Sequence, residues 1–543
     1  MQETIRKFKE ILAKLNAYQH ALGVLQYDSE TAMPRAGAAG YAAAMGALSE
    51  EVYKLQTSDA FKGAVRELLS RKAELDEITR REAEVLGEEM ARMDCVPVQE
   101  FVEYQTELGL ASSAWREAKQ RSDYALFAPH LQKLLDSTRR FARYYAPDRD
   151  PYDVLLDEYE KGMTQAELDR FFGTLRENLM PLVQRVAERA DAVDDCFLFG
   201  HFPVGQQRRL AGAVMEVMGL DRSRCALGEV EHPFTTNFSK NDVRITTHYH
   251  EESLASSLYS VIHEGGHALY ELHTDDALIG SPLAGGASMG MHESQSRLYE
   301  NLIGRSAGFA RFLFPKVQAL FPAQLAGVTA QDFYRAVNRS APSLIRIDAD
   351  ELTYPFHILI RYELEKRLIA GDLPLQDLPA EWNRLYKEVL GVAVPDDAHG
   401  VLQDSHWSGG SFGYFPSYAI GSAYGAQILE SMKKDLDVDA LTEAGNLAPI
   451  TAWLAERIYR FGKVKTPGEL LRNACGADFD PKFYVDYLTR KYTALLQPVK
   501  GAGKGKDGCN TFPSQTMEPK RARSAQRPSS APWTRRARPA ASR

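Results

Sequence analysis

The residues best placed to do chemistry are the two histidines and the glutamate of the segment HEGGH, at positions 263–267. His263 and His267 are four residues apart, so on a helix both imidazoles lie on one face and can bind the same tetrahedral metal ion. Glu264 is one residue along, where its carboxylate can reach a water in the open position of that metal. The segment therefore predicts a catalytic zinc site with Glu264 as the general base.

Such a site needs a third protein ligand, because the fourth position is left for water. His273 lies at the spacing of a longer zinc motif, but that motif requires glycine at position 270, where this chain has Tyr270. The helix should continue through Tyr270 and carry His273 away from the metal. Glu293 is the better candidate, because it starts a second run of helical periodicity. The alternative for Glu293 is a solvated glutamate in a first helical turn.

The segment around this motif has the pattern of a buried helix. Leu254, Leu258 and Val261 precede the motif at helical spacing. Gly265 and Gly266 would each weaken a helix by about 1 kcal/mol relative to alanine. Their presence predicts that another backbone or a substrate approaches the helix closely at this point.

The rest of the chain indicates one large, mainly helical domain. It has 543 residues, of which 44% are hydrophobic and 25% charged, as is typical of a globular protein. The best strand candidates are residues 233–238 and 243–250. No stretch approaches the ~20 consecutive apolar residues of a membrane span, and the N-terminus lacks the apolar core of a signal peptide. We therefore expect a cytoplasmic protein with no membrane partner.

Charge divides the chain into two parts. Residues 501–543 hold ten Lys/Arg and two Asp/Glu, whereas the first 500 residues hold 55 Lys/Arg and 71 Asp/Glu. A body this acidic gives no support to nucleic-acid binding. The tail is rich in arginine, proline and serine and poor in aliphatic residues, so we expect it to be disordered. The sequence thus predicts a catalytic domain over residues 1–498 and a basic tail over residues 499–543.

Seven short motifs are dispersed through the body: HPF (232–234), DVRIT (242–246), HEGGHALYE (263–271), HESQS (292–296), IRIDAD (345–350), GVLQDSHW (400–407) and GYFPSY (413–418). In this order they resemble the carboxypeptidase Taq family of zinc metallocarboxypeptidases. DSETAMP (28–34) is similar to that family's N-terminal segment, although Tyr27 stands where tryptophan is expected. The resemblance implies a mainly α, gluzincin-type domain with a deep cleft and a small β-sheet beside the metal site.

The resemblance also implies how the substrate is anchored. Arg346 is assigned to the C-terminal carboxylate of the substrate, a role that suits the fork of a guanidinium. The alternative for Arg346 is a salt bridge to Asp348 or Asp350. Asp404 could be buried scaffold. Glu271, one turn past the second histidine of the motif, could orient a ligand histidine.

Four further side chains are candidates by similarity to related helical gluzincins. His406 and Tyr418 would donate hydrogen bonds to the oxyanion of the reacting carbonyl or hold the substrate backbone. Tyr414 is the alternative donor to Tyr418, and the sequence does not choose between them. His232 would bind the substrate backbone from a strand edge.

The resemblance therefore implies a carboxypeptidase of broad specificity that removes single amino acids from the free C-terminus of peptides. One Zn²⁺ per chain would activate the attacking water, with Co²⁺ as the alternative ion. The implied partners are peptides with a free C-terminal carboxylate and a second copy of the chain in a homodimer. The alternatives are a zinc oligopeptidase or endopeptidase on the same fold, against which Arg346 argues, and a non-catalytic peptide-binding relative, which the intact Glu264 disfavours.

Overall fold

The computed structural model describes residues 1–497, and the tail predicted over residues 499–543 lies outside this range. Helices make up most of the described residues. They are α1 Gln2–Thr31, α2 Ala38–Thr57, α3 Asp59–Ser70, α4 Glu77–Cys95, α5 Val98–Arg121, α6 Ala128–Tyr145, α7 Pro151–Tyr159, α8 Gln165–Ala187, α9 Val204–Met218, α10 Leu254–Leu272, α11 Met289–Arg297, α12 Ala307–Leu320, α13 Ala330–Val337, α14 Tyr354–Ala370, α15 Leu378–Leu385, α16 Pro416–Met432, α17 Val438–Ala444, α18 Ala448–Arg457, α19 Pro467–Cys475 and α20 Lys482–Leu495.

A small sheet contains the strands β1 Cys225–Glu229, β2 Thr235–Ser239 and β3 Asp242–Thr247. Its order is β1-β3-β2, with β1 parallel and β2 antiparallel to β3. The two predicted strand candidates correspond to β2 and β3, but β3 ends at Thr247, before the predicted end at residue 250. β1 was not predicted, because Ala226 and Gly228 interrupt any β-branched or aromatic pattern. β2 and β3 pack on α10, the helix that carries the HEGGH segment, so the sheet lies beside that segment.

Buried apolar side chains form two groups. The smaller group lies within α1–α4, around Phe8, Val65 and Leu86, and the larger group fills the rest of the described chain. Ring contacts between His20 and Phe238 are among those that join α1 to the sheet. The fold confirms the mainly α architecture predicted from the sequence.

A cleft with a volume of about 1840 Å³ runs between the two groups. One wall comes from α1, α2 and α4, and the other comes from β2, α10, α11 and the segments around residues 346 and 406–418. Among the described residues, no helix combines the length and the apolar character needed to cross a bilayer. His263, Glu264 and His267 line this cleft, and the cleft is large enough to hold a peptide.

Candidate active site

The helix that carries the HEGGH segment meets α11 at close range. A Cβ atom on Gly266 would lie 2.6 Å from the carbonyl oxygen of Gln295 and 2.7 Å from the Cα atom of Ser296. No side chain fits at such distances, so α10 and α11 approach this closely only because residue 266 is glycine. On the neighbouring position, a Cβ on Gly265 would lie 2.7 Å from the side chain of Met218. The close approach predicted from the glycines is thus present, and it brings α11 to the metal helix.

This approach assembles three potential metal ligands. One ligand atom each from His263, His267 and Glu293 lies within 4.8 Å of the others, and no other such group occurs within the described part of the chain. The Nε2 atoms of His263 and His267 lie 3.7 and 3.4 Å from Oε2 of Glu293. Two imidazoles and one carboxylate match the ligand set of a catalytic zinc site with an open position. His273 is outside the group, because its ring bonds to the carbonyl oxygen of Leu269.

The first ligand histidine is oriented by a carboxylate. Nδ1 of His263 lies 2.9 Å from Oε2 of Glu300, so the imidazole donates there and keeps Nε2 free for a metal. Glu300 lies in a π-helical turn that directly follows α11, a feature that is frequent at functional sites. Burial would raise the pKa of Glu300, but the hydrogen bond from His263 and the charges of Arg297 and Arg305 lower it to about 2.

The second ligand histidine is supported differently. Nδ1 of His267 lies 2.7 Å from Nδ1 of His292, and Nε2 of His292 lies 2.7 Å from Oε1 of Glu271. Glu271 therefore reaches a ligand histidine through a second imidazole. Burial lowers the pKa of His267 to about 3, so this ring is neutral at pH 7 and can act as a ligand.

Glu293 and Glu264 differ in their surroundings, which suits their different roles. Oε1 of Glu293 accepts a hydrogen bond of 2.7 Å from Nε of Arg297. Burial opposes ionisation of Glu293, but Arg297 and His263 hold its pKa well below the usual range. Glu264 is buried and has no such cation; its carboxylate accepts a hydrogen bond from the hydroxyl of Thr235, and burial raises its pKa. Thr235 could not be found from the sequence, since no local signal joins it to Glu264.

Arg346 lines the cleft wall and is only 6% exposed. Its Nε and Nη2 atoms donate to Oδ1 of Asp404 at 2.9 and 2.7 Å, and Nη1 donates to the hydroxyl of Tyr354 at 3.0 Å. The alternative partners predicted from the sequence are therefore wrong. Asp348 is exposed, and Asp350 instead accepts hydrogen bonds from the segment before α14.

Asp404 is shared between two arginines. Nε of Arg361 donates to Oδ2 of Asp404 at 2.7 Å, on the side opposite to Arg346. Arg361 is fully buried, and its Nη2 atom donates to Oε1 of Gln403 at 2.8 Å. Two guanidinium groups thus form ion pairs with a single carboxylate, so positive charge is in excess among these three side chains.

The aromatic candidates lie on the same side of the cleft as Arg346. Nε2 of His406 lies 3.2 Å from the hydroxyl of Tyr418, and the ring of Tyr414 packs edge-on against Tyr418. All three line the cleft together with Glu264. Nδ1 of His406 is buried without a hydrogen-bond partner among the described residues. Burial, followed by the charge of Arg346, lowers the pKa of His406 to about 3.

His232 is the one predicted site residue that the structure does not bring into the cleft. It is exposed, whereas its neighbours Pro233 and Phe234 line the cleft. Its suggested contact with the substrate backbone remains a prediction.

Comparison with known proteins agrees with this geometry. A sequence profile described as carboxypeptidase Taq (M32) metallopeptidase matches residues 7–492. Carboxypeptidase 1 of Bacillus subtilis is 40% identical over 491 residues, which covers 90% of this chain and 98% of that protein. Thermostable carboxypeptidase 1 of Thermus thermophilus is 36% identical over 492 residues, which covers 88% and 96% of the two chains.

Solved structures show the same relationship. The M32 carboxypeptidase of Deinococcus radiodurans superposes with a TM-score of 0.88 at 35% identity, and the match covers 91% of this chain and 99% of that one. Metallocarboxypeptidase 1 of Trypanosoma cruzi superposes with a TM-score of 0.87 at 34% identity, covering 91% of this chain and 100% of that one.

Proposed function

The chain belongs to the carboxypeptidase Taq (M32) family and is a metal-dependent carboxypeptidase, and we propose that it removes single residues from the free C-terminus of peptides with zinc as its metal and Glu264 as general base. Cleavage is of broad specificity, because Arg346 recognises the C-terminal carboxylate, which every such substrate has. The single observation that carries the proposal is that a candidate metal-ligand set lines the same cleft as Arg346, which shares the carboxylate of Asp404 with Arg361.

The donor set supports zinc, with Co²⁺ as the alternative ion. His263, His267 and Glu293 would hold the ion, since their nitrogen and oxygen donors suit a borderline-soft cation better than an all-oxygen site would. When bound, such an ion acts as a Lewis acid that lowers the pKa of water and polarises a carbonyl group.

Glu264 acts as the proton carrier. Its carboxylate is buried beside the ligands, and Thr235 is its side-chain hydrogen-bond partner among the described residues, so one oxygen is available to the attacking water. Glu264 takes a proton from that water and then delivers a proton to the leaving amine. The raised pKa of Glu264 suits a group that must first accept and then release a proton.

Arg346 binds the C-terminal carboxylate of the peptide. Because Arg346 and Arg361 share only Asp404, a substrate carboxylate would supply the second anion of the group. A guanidinium remains charged at every working pH and binds a carboxylate through two parallel hydrogen bonds. A role for Arg346 in binding this carboxylate favours an exopeptidase over an oligopeptidase or endopeptidase, whose substrates have no free carboxylate on the residue that follows the cleaved bond.

His406 and Tyr418 supply hydrogen bonds to the carbonyl oxygen as it becomes negative. Nε2 of His406 and the hydroxyl of Tyr418 lie 3.2 Å apart, so both can donate to the same carbonyl oxygen from the side of the cleft that holds Arg346. Tyr414 is the alternative donor. The homodimeric state and the cytoplasmic location remain predictions from the sequence.

The test is an assay of purified protein with free-acid peptides and their C-terminal amides. We expect about one divalent ion per chain, loss of activity with a chelator, recovery with Zn²⁺, and release of single C-terminal residues from the free acid. Release of internal fragments would contradict the exopeptidase proposal, and chelator-resistant activity would contradict the role of the metal.

A further inference from the structure

The two ligand histidines are supported in unequal ways. Nδ1 of His263 meets the carboxylate of Glu300 directly at 2.9 Å. Nδ1 of His267 instead meets an imidazole nitrogen of His292 at 2.7 Å, and only the far nitrogen of that ring reaches a carboxylate, Glu271, at 2.7 Å. His267, His292 and Glu271 form this second hydrogen-bonded series, which we call the relay, and all three are buried.

The groups at the two ends of the relay determine which nitrogen atoms of His267 and His292 carry protons. An imidazole that offers Nε2 to a metal carries its proton on Nδ1, so His267 must donate to His292. His292 then accepts at Nδ1, carries its own proton on Nε2 and donates to Glu271. Glu271 is an acceptor only, and it also accepts from the amide of Gly286 and the side chain of Asn237.

We propose that His292 and Glu271 are positioning residues that hold His267 in the tautomer whose Nε2 faces the metal. The inference rests on the metal site proposed above and concerns two residues outside the group of candidate ligands. His292 acts through its nitrogen atoms, and Glu271 acts through His292 by fixing which nitrogen carries the proton.

Local packing supports this role. A Cβ on Gly286 would lie 2.5 Å from Cδ2 of His292, so the ring is held against backbone that only glycine permits. The ring of Tyr270 lies 5.3 Å from the His292 ring on another side. His292 directly precedes Glu293, so α11 delivers a ligand and the support for another ligand at adjacent positions. The relay therefore ties ligand orientation to the packing of α10 against α11.

The test measures zinc affinity by competition with a chromogenic chelator, a readout independent of turnover. His292→Phe keeps a ring but removes the acceptor for His267, and we expect zinc binding to weaken by about 10- to 100-fold. His292→Asn returns an oxygen near the position of Nδ1 and should recover a large part of that loss. Glu271→Gln should stay within about threefold of wild type, because its amide oxygen can accept from His292 while Asn237 reverses its own amide.

Controls separate this inference from the metal site itself. His273→Phe changes another histidine of the same helix region that lies outside the relay, and it should bind zinc as wild type does. His263→Ala should lose zinc; if it retains zinc, the proposed metal site is wrong. If His263→Ala loses zinc but His292→Phe binds it with wild-type affinity, the relay is wrong and the site stands. Equal weakening by His292→Phe and His292→Asn would also overturn the relay, since the hydrogen-bond acceptor would then not matter.

Discussion

The candidate metal centre around His263, His267 and Glu293 and the proposed carboxylate anchor at Arg346 both bury charge beside the cleft, but the sign of the excess charge differs. Near the metal ligands, the carboxylates outnumber the cations: Glu264, Glu293 and Glu300 line the cleft with Arg297 and Arg305. At the anchor, Arg346 and Arg361 share the single carboxylate of Asp404. Among these residues, negative charge is in excess near the metal ligands and positive charge is in excess around Asp404.

The pKa shifts of Glu264 and His406 show the same contrast. In the metal centre, burial without a paired cation raises the pKa of Glu264. At the anchor, burial and the charge of Arg346 lower the pKa of His406 to about 3. A buried charge without its counterpart is costly, so each imbalance indicates the ligand that would relieve it. The metal centre fits a divalent cation, and the anchor fits a carboxylate.

Breaking the metal side should have the largest effect. Glu264→Gln keeps the shape and the hydrogen bond from Thr235 but removes the proton acceptor, so kcat should fall by about 10²- to 10⁴-fold. Metal content, measured by mass spectrometry, should stay at the wild-type value, whereas Glu293→Ala should lose the ion. Wild-type turnover in Glu264→Gln would remove the general base from the mechanism.

Breaking the anchor should instead show in stability. Asp404→Asn leaves two buried guanidinium groups without their shared carboxylate, a change that typically costs about 3–5 kcal/mol of unfolding free energy. Urea unfolding measures it. The matched control is Glu443→Gln, since Glu443 pairs with Arg311 through two hydrogen bonds of 2.8 and 2.9 Å but on the exposed surface. It should leave the midpoint unchanged, and equal loss in both variants would contradict the account.

A smaller effect comes from Glu365, which holds the segment carrying His406 in place. It accepts from the hydroxyl of Tyr152, the indole of Trp407 and the amide of Gly413. In Glu365→Gln the NH₂ group would face either the indole N–H of Trp407 or the backbone N–H of Gly413. Both are donors that cannot accept a hydrogen bond, so the NH₂ group would lose its partner. We expect a loss of about 1–3 kcal/mol in urea unfolding.

The matched variant on the metal side is Glu160→Gln. Glu160 accepts from the amide of Gly290, at the start of the metal-ligand helix α11, and from the hydroxyl of Tyr424. That hydroxyl can turn and accept from a glutamine amide, so Glu160→Gln should be less destabilising than Glu365→Gln. The reverse order would show that donor geometry does not decide these costs.

The last prediction in this comparison is a pH dependence. Burial raises the pKa of Glu160 from 4.5 to about 7. The folded state therefore binds the proton more tightly than the unfolded chain, and the stability that this group contributes falls as pH rises from about 4.5 to 7. The melting temperature of wild type, measured relative to Glu160→Gln, should fall over this interval. A constant difference would contradict the raised pKa.

Sequence alone could predict the parts of the site that depend on local spacing. The candidate ligand histidines lie one helical turn apart, and Glu293 lies within the following helix, α11, so helical periodicity was sufficient to nominate all three. The partner of Arg346 could not be predicted, because Asp404 is distant in the chain and joins it only through packing. The hydrogen bond from Thr235 depends on tertiary structure in the same way.

The fold was predictable to a similar extent. Helical periodicity indicated the mainly α class, whereas β1 has no strand pattern and forms because β3 provides a parallel partner for it. The division of the buried apolar residues into two groups also has no local signal, since apolar residues at helical spacing, such as Phe8 and Leu12 in α1, do not show which other helices they contact.

The most direct test of the central claim crosses the charge on the enzyme with the charge on the substrate. Wild type and Arg346→Ala are each assayed for kcat/KM on one peptide as its free acid and as its C-terminal amide. Loss of a partner for a buried charge costs about 2–5 kcal/mol, so wild type should prefer the acid by roughly 30- to several-thousand-fold. Arg346→Ala should lose most of that preference through lower activity on the acid alone. Equal cleavage of acid and amide by wild type, or equal losses on both in the variant, would contradict the account.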